Sequence, residues 1–262
     1  MSPFLFSSAV QPRPLSFTAF IRALCAVCLL AGAIMAAEAA DNLDARRARM
    51  VADVEQMARD TAQATGRPVL DARVLAALRK VDRHRYMPAS RAAQAYENHA
   101  QPIGHEQTIS QPFIVALMTD LLNLQPDHRV LEVGTGSGYQ AAVLAELVRA
   151  VYTIEIVELL GRTAAQALLA AGYWNVYPRI GDGYAGWPEQ APFDAIMVTA
   201  AAPYLPQQLV DQLKPGGRLV IPLGERGGAQ VLTLVEKDLR GKVSQRSVLD
   251  VRFVPLTRKP GR

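Results

Sequence analysis

Between residues 41 and 64 the apolar positions Leu43, Met50, Val54 and Met57 recur at spacings of seven, four and three, with arginines and acids on the other faces. That period predicts an amphipathic helix, which Thr65-Gly66-Arg67-Pro68 ends. Asp71 caps a second predicted helix through Val81, with Val74, Leu75 and Leu78 on one stripe. Residues 82–111 keep no steady period and are broken by prolines. Ser110, followed by Pro112 and the apolar run Phe113 to Leu124, predicts a helix start with Ser110 as its N-cap.

From Arg129 the texture changes to short β-branched runs alternating with helical ones. Strands are predicted at Arg129–Val133, Val151–Glu155, Val176–Ile180, Ala195–Thr199 and Arg218–Pro222, with helices over 138–148, 158–171 and 205–213 between them. This alternation predicts βαβ units: an α/β domain with a mostly parallel sheet and helices on both faces. Two further strands, Val231–Glu236 and Val248–Val254, have no helix between them, so the sheet finishes antiparallel. The expected division is a leader over 1–39, a small helical N-terminal cap with a substrate-side loop over 40–110, and the α/β domain over 111–262.

The leader rests on residues 23–37, which carry no charge, follow Arg13 and Arg22, and precede Ala37-Glu38-Ala39. A positive start, an apolar stretch and an A-x-A site form a secretory signal, and 15 apolar residues fall short of the ~20 that span a bilayer. Once it is cleaved, no stable membrane span is expected. The rest of the composition is that of an ordinary globular chain, 50% hydrophobic and 20% charged over 262 residues. The net charge of +4 is not gathered into a block, so it demands no nucleic-acid partner. Both cysteines, Cys25 and Cys28, lie in the leader, which leaves the body without a disulfide scaffold, a zinc ribbon or a cysteine nucleophile.

The most informative stretch is Val130-Leu131-Glu132-Val133-Gly134-Thr135-Gly136-Ser137-Gly138-Tyr139, an apolar strand that ends in three glycines at alternate positions and enters a helix. Such a turn lets a ligand approach the backbone and meet the free N–H groups of a helix start. The spacing is G-x-G-x-G and not the dinucleotide G-x-G-x-x-G. Glu132 would repel a pyrophosphate, as in a nicotinamide-dependent oxidoreductase, and would tolerate a ligand bearing an ammonium or sulfonium. Glu155 ends the second strand, placed to accept from two ribose hydroxyls, and Asp182 follows the third, placed to accept from an adenine amino group. Singly, Glu155 is a solvated strand-end charge and Asp182 a turn former. Three acids at three successive strand ends point to one ligand.

This pattern is similar to the S-adenosylmethionine-dependent methyltransferases, which implies their Rossmann-like fold. After the fourth strand the chain reads Asp194 to Pro203 with no side-chain amide, which disfavours amine acceptors and suits an oxygen nucleophile. Gln107-Thr108-Ile109-Ser110-x-Pro112, the glycine loop, Gly181-Asp182-Gly183 and Arg252-Phe253-Val254-Pro255-Leu256 together resemble the protein-L-isoaspartate O-methyltransferase family, from about Arg46 to Leu256. The resemblance implies methyl transfer from S-adenosyl-L-methionine, without a metal, to the α-carboxylate of L-isoaspartyl residues in proteins and peptides. It gives Ser110 the active-site role of orienting that carboxylate, with Thr108, Ile109 and Val254 beside the substrate. Glu132, Gly134, Thr135, Gly136, Ser137, Gly138, Glu155, Asp182 and Gly183 fall to the donor.

Two positions depart from the family pattern. Arg85-Tyr86-Met87-Pro88 replaces an arginine followed by phenylalanine-valine-proline, which keeps a bulky apolar pair. Glu106 stands where the family has glycine, which implies a strained local backbone and a carboxylate unfavourable to an anionic substrate. His84, His99, His105 and His128 have no metal spacing, and His105 reads as a solvated loop residue. The competing readings are a methyltransferase of a small molecule or nucleic acid on the same fold, and a binding module that has lost turnover. A monomer is expected. The leader places it in the periplasm or outside the cell, whereas the family norm is the cytoplasm. N-terminal sequencing of the mature protein should find a chain beginning near Ala40; an intact Met1 would count against a cleaved leader.

Overall fold

The computed structural model describes residues 42–225 and 227–258. The leader, both cysteines and its cleavage site lie outside the described residues. Residues 42–46, the described part of the first of two units, are helical. Residues 47–262 form the other.

In this second unit α1 (47–60) buries Met50 and Val54 of the predicted stripe, together with Val51 and Ala58, and leaves Met57 half-buried. Thr61 interrupts the helix by donating its hydroxyl to Met57 O, and one more turn, α2 (Ala62–Thr65), ends on Gly66 in the left-handed region. Asp71 caps α3 (Ala72–Lys80) by accepting from Arg73 N, and the helix buries Val74, Leu75, Ala77 and Leu78. Two 3-10 turns follow, Arg83–Tyr86 and Ala89–Gln94.

The stretch without a period contains a two-stranded antiparallel hairpin, β1 (Gln101–Gly104) and β2 (Gln107–Ile109), joined by His105 and Glu106. Both joining residues have positive φ, 52° and 57°. A two-residue turn with two left-handed residues matches the twist of a hairpin, and this is why glycine suits position 106. Ser110 is not the cap of the next helix. α4 (Pro112–Leu121) starts with proline at its first position behind Gln111, so Ser110 lies outside it. All ten residues of α4 are buried, as its apolar composition on every face requires.

The remainder is a seven-stranded sheet built from β3 (Arg129–Val133), α5 (Tyr139–Ala145), β4 (Ala150–Glu155), α6 (Glu158–Ala170), β5 (Val176–Ile180), β6 (Phe193–Val198), α7 (Gln207–Asp211), β7 (Leu213–Leu223), β8 (Gln230–Lys237) and β9 (Val243–Val251). The strand order is β5-β4-β3-β6-β7-β8-β9, parallel through β7 and antiparallel at β8 and β9. Leu131, Val133, Ile154, Ile196, Val198, Leu219 and Ile221 meet in one core on the sheet. Strands buried on both faces read as near-continuous apolar runs, and this is how the sequence reveals them.

The largest shifts from the predicted ranges are at β7 and β9. β7 begins at Leu213, shortening the helix predicted over 205–213. β9 begins at Val243 and ends at Val251, because Ser244-Gln245-Arg246-Ser247 pairs with β8 through the backbone while its side chains face solvent. Residues 252–258 therefore leave the sheet. Ala201 N donates to Val254 O and Leu256 N to Ala201 O, which ties this segment across the end of β6.

Candidate active site

The chain leaves β3 toward β4 and β5 on one side, and returns to β6 on the other. Ligands of α/β sheets bind at such a switch point, beyond the carboxyl ends of the strands. A cleft of about 770 Å³, partly open to solvent, lies there.

Its floor is the glycine loop. Gly134, Gly136 and Gly138 have φ of 97°, 54° and 88°, a conformation open to glycine at little cost. A Cβ on Gly134 would stand 2.4 Å from Thr199 Oγ1. Thr199 closes the other side by donating to Gly134 O at 2.6 Å or Val133 O at 3.0 Å. At the end of β4 the buried Glu155 accepts from Gly136 N at 2.8 Å and from Val157 N at 2.9 Å. These bonds use two of its roughly four lone-pair sites and leave the rest for a ligand. Gly183 lines the cleft because a Cβ there would meet Val133 Cγ1 at 2.3 Å.

The opposite wall is Gln107, Thr108, Ile109 and Ser110 from β2 and its exit, with Val254 from the segment after β9. A second hollow, about 1220 Å³ and partly open to solvent, runs on from it along Gln111, Phe113 and residues 249–253. Thr108, Ser110, Thr199 and Val254 line both hollows. Asn98 Oδ1 accepts from Phe113 N, Gln111 Nε2 donates to Asn98 O, and Arg83 Nη2 donates to Ser110 O. The Ser110 hydroxyl itself has no hydrogen-bond partner among the described residues.

A sequence profile of the family Protein-L-isoaspartate(D-aspartate) O-methyltransferase matches residues 57–261. The chain belongs to this family. It is similar to Protein-L-isoaspartate O-methyltransferase 2 of Polaromonas sp. (strain JS666), with 58% identity over 208 residues, 79% of this chain and 99% of that one. It is also similar to Protein-L-isoaspartate O-methyltransferase 1 of Cupriavidus necator, with 52% identity over 248 residues, 95% of this chain and 94% of that one. A solved protein-L-isoaspartate O-methyltransferase superposes with a TM-score of 0.68 at 26% identity, covering 80% of this chain and 65% of that one. A putative member from Plasmodium falciparum, in complex with S-adenosyl-L-homocysteine, superposes with a TM-score of 0.63 at 28% identity, covering 73% and 93%.

The structure brings Thr108, Ile109, Ser110, Val254, Gly134, Thr135, Gly136, Ser137, Glu155 and Gly183 into this family cleft. It places three other expected donor residues elsewhere. Gly138 starts α5 and packs on α6, where a Cβ would press on Ala164 and Leu168 at 3.3 Å. Asp182 accepts from Tyr184 N to cap the turn Gly183–Ala185 and faces a neighbouring hollow beside Arg179 and Glu189. Glu132 is fully buried in β3, outside the lining.

Glu132 also has a different charge from the one its place in the motif implies. Thr153 donates its hydroxyl to Glu132 Oε2 at 2.5 Å and lies 2.6 Å from the Thr135 hydroxyl, while Oε1 has no partner. Burial pushes the carboxyl up to about 8, further raised by Glu155 and held back only by the Thr153 bond. At neutral pH Glu132 is a neutral acid under the loop, so the argument that it repels a pyrophosphate fails.

Sequence reasoning passed over Thr199, Gln107 and Tyr139. Thr199 was in plain view at the end of the fourth strand, where the strand-end rule directs attention. Tyr139 gives no such signal, since an aromatic at a helix start reads as core. His105 and Glu106 are exposed at the hairpin tip and line neither hollow, so the Glu106 carboxylate does not enter the site. Among the described residues no group of His, Cys, Asp and Glu is placed to hold a metal, and no helix is long and apolar enough to cross a membrane.

The raised carboxyl has a testable sign. Glu132 contributes stability that is fully present below its ordinary range near 4.5 and is lost as pH rises through about 8. Denaturant titrations should show Glu132→Gln gaining on the parent by up to about 1.4 kcal/mol per pH unit between pH 5 and 7.5, and levelling off above 8. A gap independent of pH would mean that Glu132 is ionised in the folded protein.

Proposed function

We propose that this protein transfers a methyl group from S-adenosyl-L-methionine to the free α-carboxylate of L-isoaspartyl residues in damaged proteins and peptides, initiating their repair. The observation that carries this reading is the junction at Ser110. A narrow cleft on the glycine loop suits a nucleoside donor, and the wider hollow opening from it suits a peptide. Both expose the same Ser110 hydroxyl.

The residues present fit the donor. The loop glycines leave cradles that a Cβ would fill, and Glu155 keeps acceptor sites facing the cleft. Gly134, Thr135, Gly136, Ser137, Glu155 and Gly183 would hold it. The donor supplies a methyl group carried on a sulfonium. An isoaspartyl carboxylate titrates near ~3.5 like a chain-terminal carboxyl, so it arrives ionised and needs no general base. The protein's task is therefore alignment, which supplies ~7 kcal/mol or more when reacting atoms are held in line. Ser110 orients the carboxylate through its unpartnered hydroxyl. Ile109, Val133, Ile154 and Leu256 make the walls largely apolar and keep water from the reacting groups. A monomer suffices in this reading, since one chain supplies both hollows. The leader adds export to the proposal, with the donor supplied in the same compartment.

An isoaspartyl peptide offered with labelled donor should take up methyl while its aspartyl twin does not. Equal labelling of both, or of neither, would remove the assignment. Calorimetry with S-adenosyl-L-homocysteine should find Glu155→Ala weakened by more than about tenfold, as loss of a buried acceptor implies. Ser110→Ala should bind it normally and lose mainly kcat; abolished binding there would reverse the division of roles.

A further inference from the structure

Arg83 opens the 3-10 turn Arg83–Tyr86 and is fully buried. Nε donates to Ala95 O and Nη2 to Ser110 O, both at 2.8 Å, while Nη1 has no partner. Among the described residues no carboxylate pairs with it. Its guanidinium carbon lies 4.8 Å from the ring centre of Tyr139, which is itself buried and lines the cleft. Arg83 thus stands directly behind two walls of the site, Ser110 and Tyr139.

A buried cation without an anion is costly, and folded proteins seldom keep one that nothing neutralises. Burial lowers the Arg83 guanidinium to about 10, which leaves it charged at neutral pH. The cleft has the opposite deficiency. Among the described residues no lysine or arginine lines it, and the only charged lining side chain is Glu155. Arg252 of the adjoining hollow is exposed to solvent. A site of this composition, asked to receive a carboxylate beside Ser110, has behind that serine a buried positive charge, the guanidinium bonded to its carbonyl.

We propose that Arg83 is the positioning residue for the acceptor: its buried charge, one layer behind Ser110, is the counter-charge that the incoming carboxylate meets, and its fork fixes Ser110 where the two hollows join. The proposal rests on the carboxyl-methylating function above. In that reaction a bond forms between a carboxylate oxygen and the methyl carbon while the methyl–sulfur bond breaks and its electron pair returns to sulfur; no proton moves. The acceptor loses negative charge along the way. A fixed cation therefore favours the bound acceptor over the transition state, and its loss is felt in KM more than in kcat.

Arg83→Met removes the charge and keeps much of the volume. Its KM for an isoaspartyl peptide should rise about 10- to 100-fold, near the low end for losing one side of a buried charge pair, since Arg83 stands one layer behind the serine. Its kcat should fall no further than that of Arg83→Lys, which loses the same fork, and its affinity for S-adenosyl-L-homocysteine should not change. The decisive readout is the ratio of affinities for the isoaspartyl peptide and its methyl ester. The parent should prefer the carboxylate and Arg83→Met should lose that preference, which loosening of the fold alone would not produce. Arg83→Lys keeps a cation but not the fork, so it should retain the preference and lose kcat. An Arg83→Met protein with the parent's preference, or one that loses donor and acceptor affinity alike, would overturn the proposal. If Arg83→Met does not melt cooperatively, Arg83→Lys decides: a lost preference with intact S-adenosyl-L-homocysteine binding overturns it, and a kept one supports it. A parent protein inactive on isoaspartyl peptides would fail the functional reading itself, whatever the variants do.

Discussion

The site depends on how the chain turns out of β3. Between Val133 and Tyr139 the backbone must pass from the middle of a parallel sheet into a helix, and it does so through left-handed glycines. Two side chains from neighbouring strands hold the turn. Thr199 at the end of β6 donates to its first carbonyl, and Glu155 at the end of β4 accepts from the N–H of Gly136. A hydrogen bond to a buried carboxylate contributes about 1.5–3 kcal/mol net. The loop is thus pinned to both of the strands that flank β3, and the cleft keeps its shape before any ligand arrives. Preorganisation of this kind matters for a reaction whose main requirement is alignment.

Burial acts in opposite senses on the two ionisable groups next to the site. The Glu132 carboxyl, with an ordinary range near 4.5, is carried past neutrality and is uncharged beneath the loop. The Arg83 guanidinium starts so high that the same loss of water leaves it a cation. The donor region is thereby less negative, and the acceptor region more positive, than the lining residues alone indicate. Glu155 remains as the carboxylate that lines the cleft.

The parallel strands and the glycine loop were legible because each leaves a local trace. A doubly buried strand is an apolar run, and a tight turn near a ligand demands glycine. What escaped has no local trace. The hairpin of β1 and β2 is three to four residues per strand and includes Pro102, so no alternation marks it. β9 is recruited by the edge of β8 in spite of a polar sequence, an instance of pairing set by tertiary context. Ser110 looked like a helix cap because serine before proline usually is one, yet Gln111 occupies that place and frees the hydroxyl. Asp182 and Glu132 stand near the glycine loop but outside the cleft lining. Their orientation depends on neighbours far along the chain, Thr153 for Glu132, or on a local turn, as at Tyr184 for Asp182.

The cap at Asp182 also bears on the protein's own durability. An aspartate followed by glycine is a sequence prone to succinimide closure, because the following nitrogen attacks the side-chain carboxyl and glycine offers no steric hindrance. Asp182-Gly183 is such a pair, and the close approach of Val133 leaves no room for a larger residue at 183. In the fold Asp182 is extended, with ψ of 115°, and its Oδ1 is committed to the N–H of Tyr184, one residue beyond the attacking nitrogen. The turn that frames the cleft therefore also shelters its own aspartate from the ageing chemistry whose products the family mends.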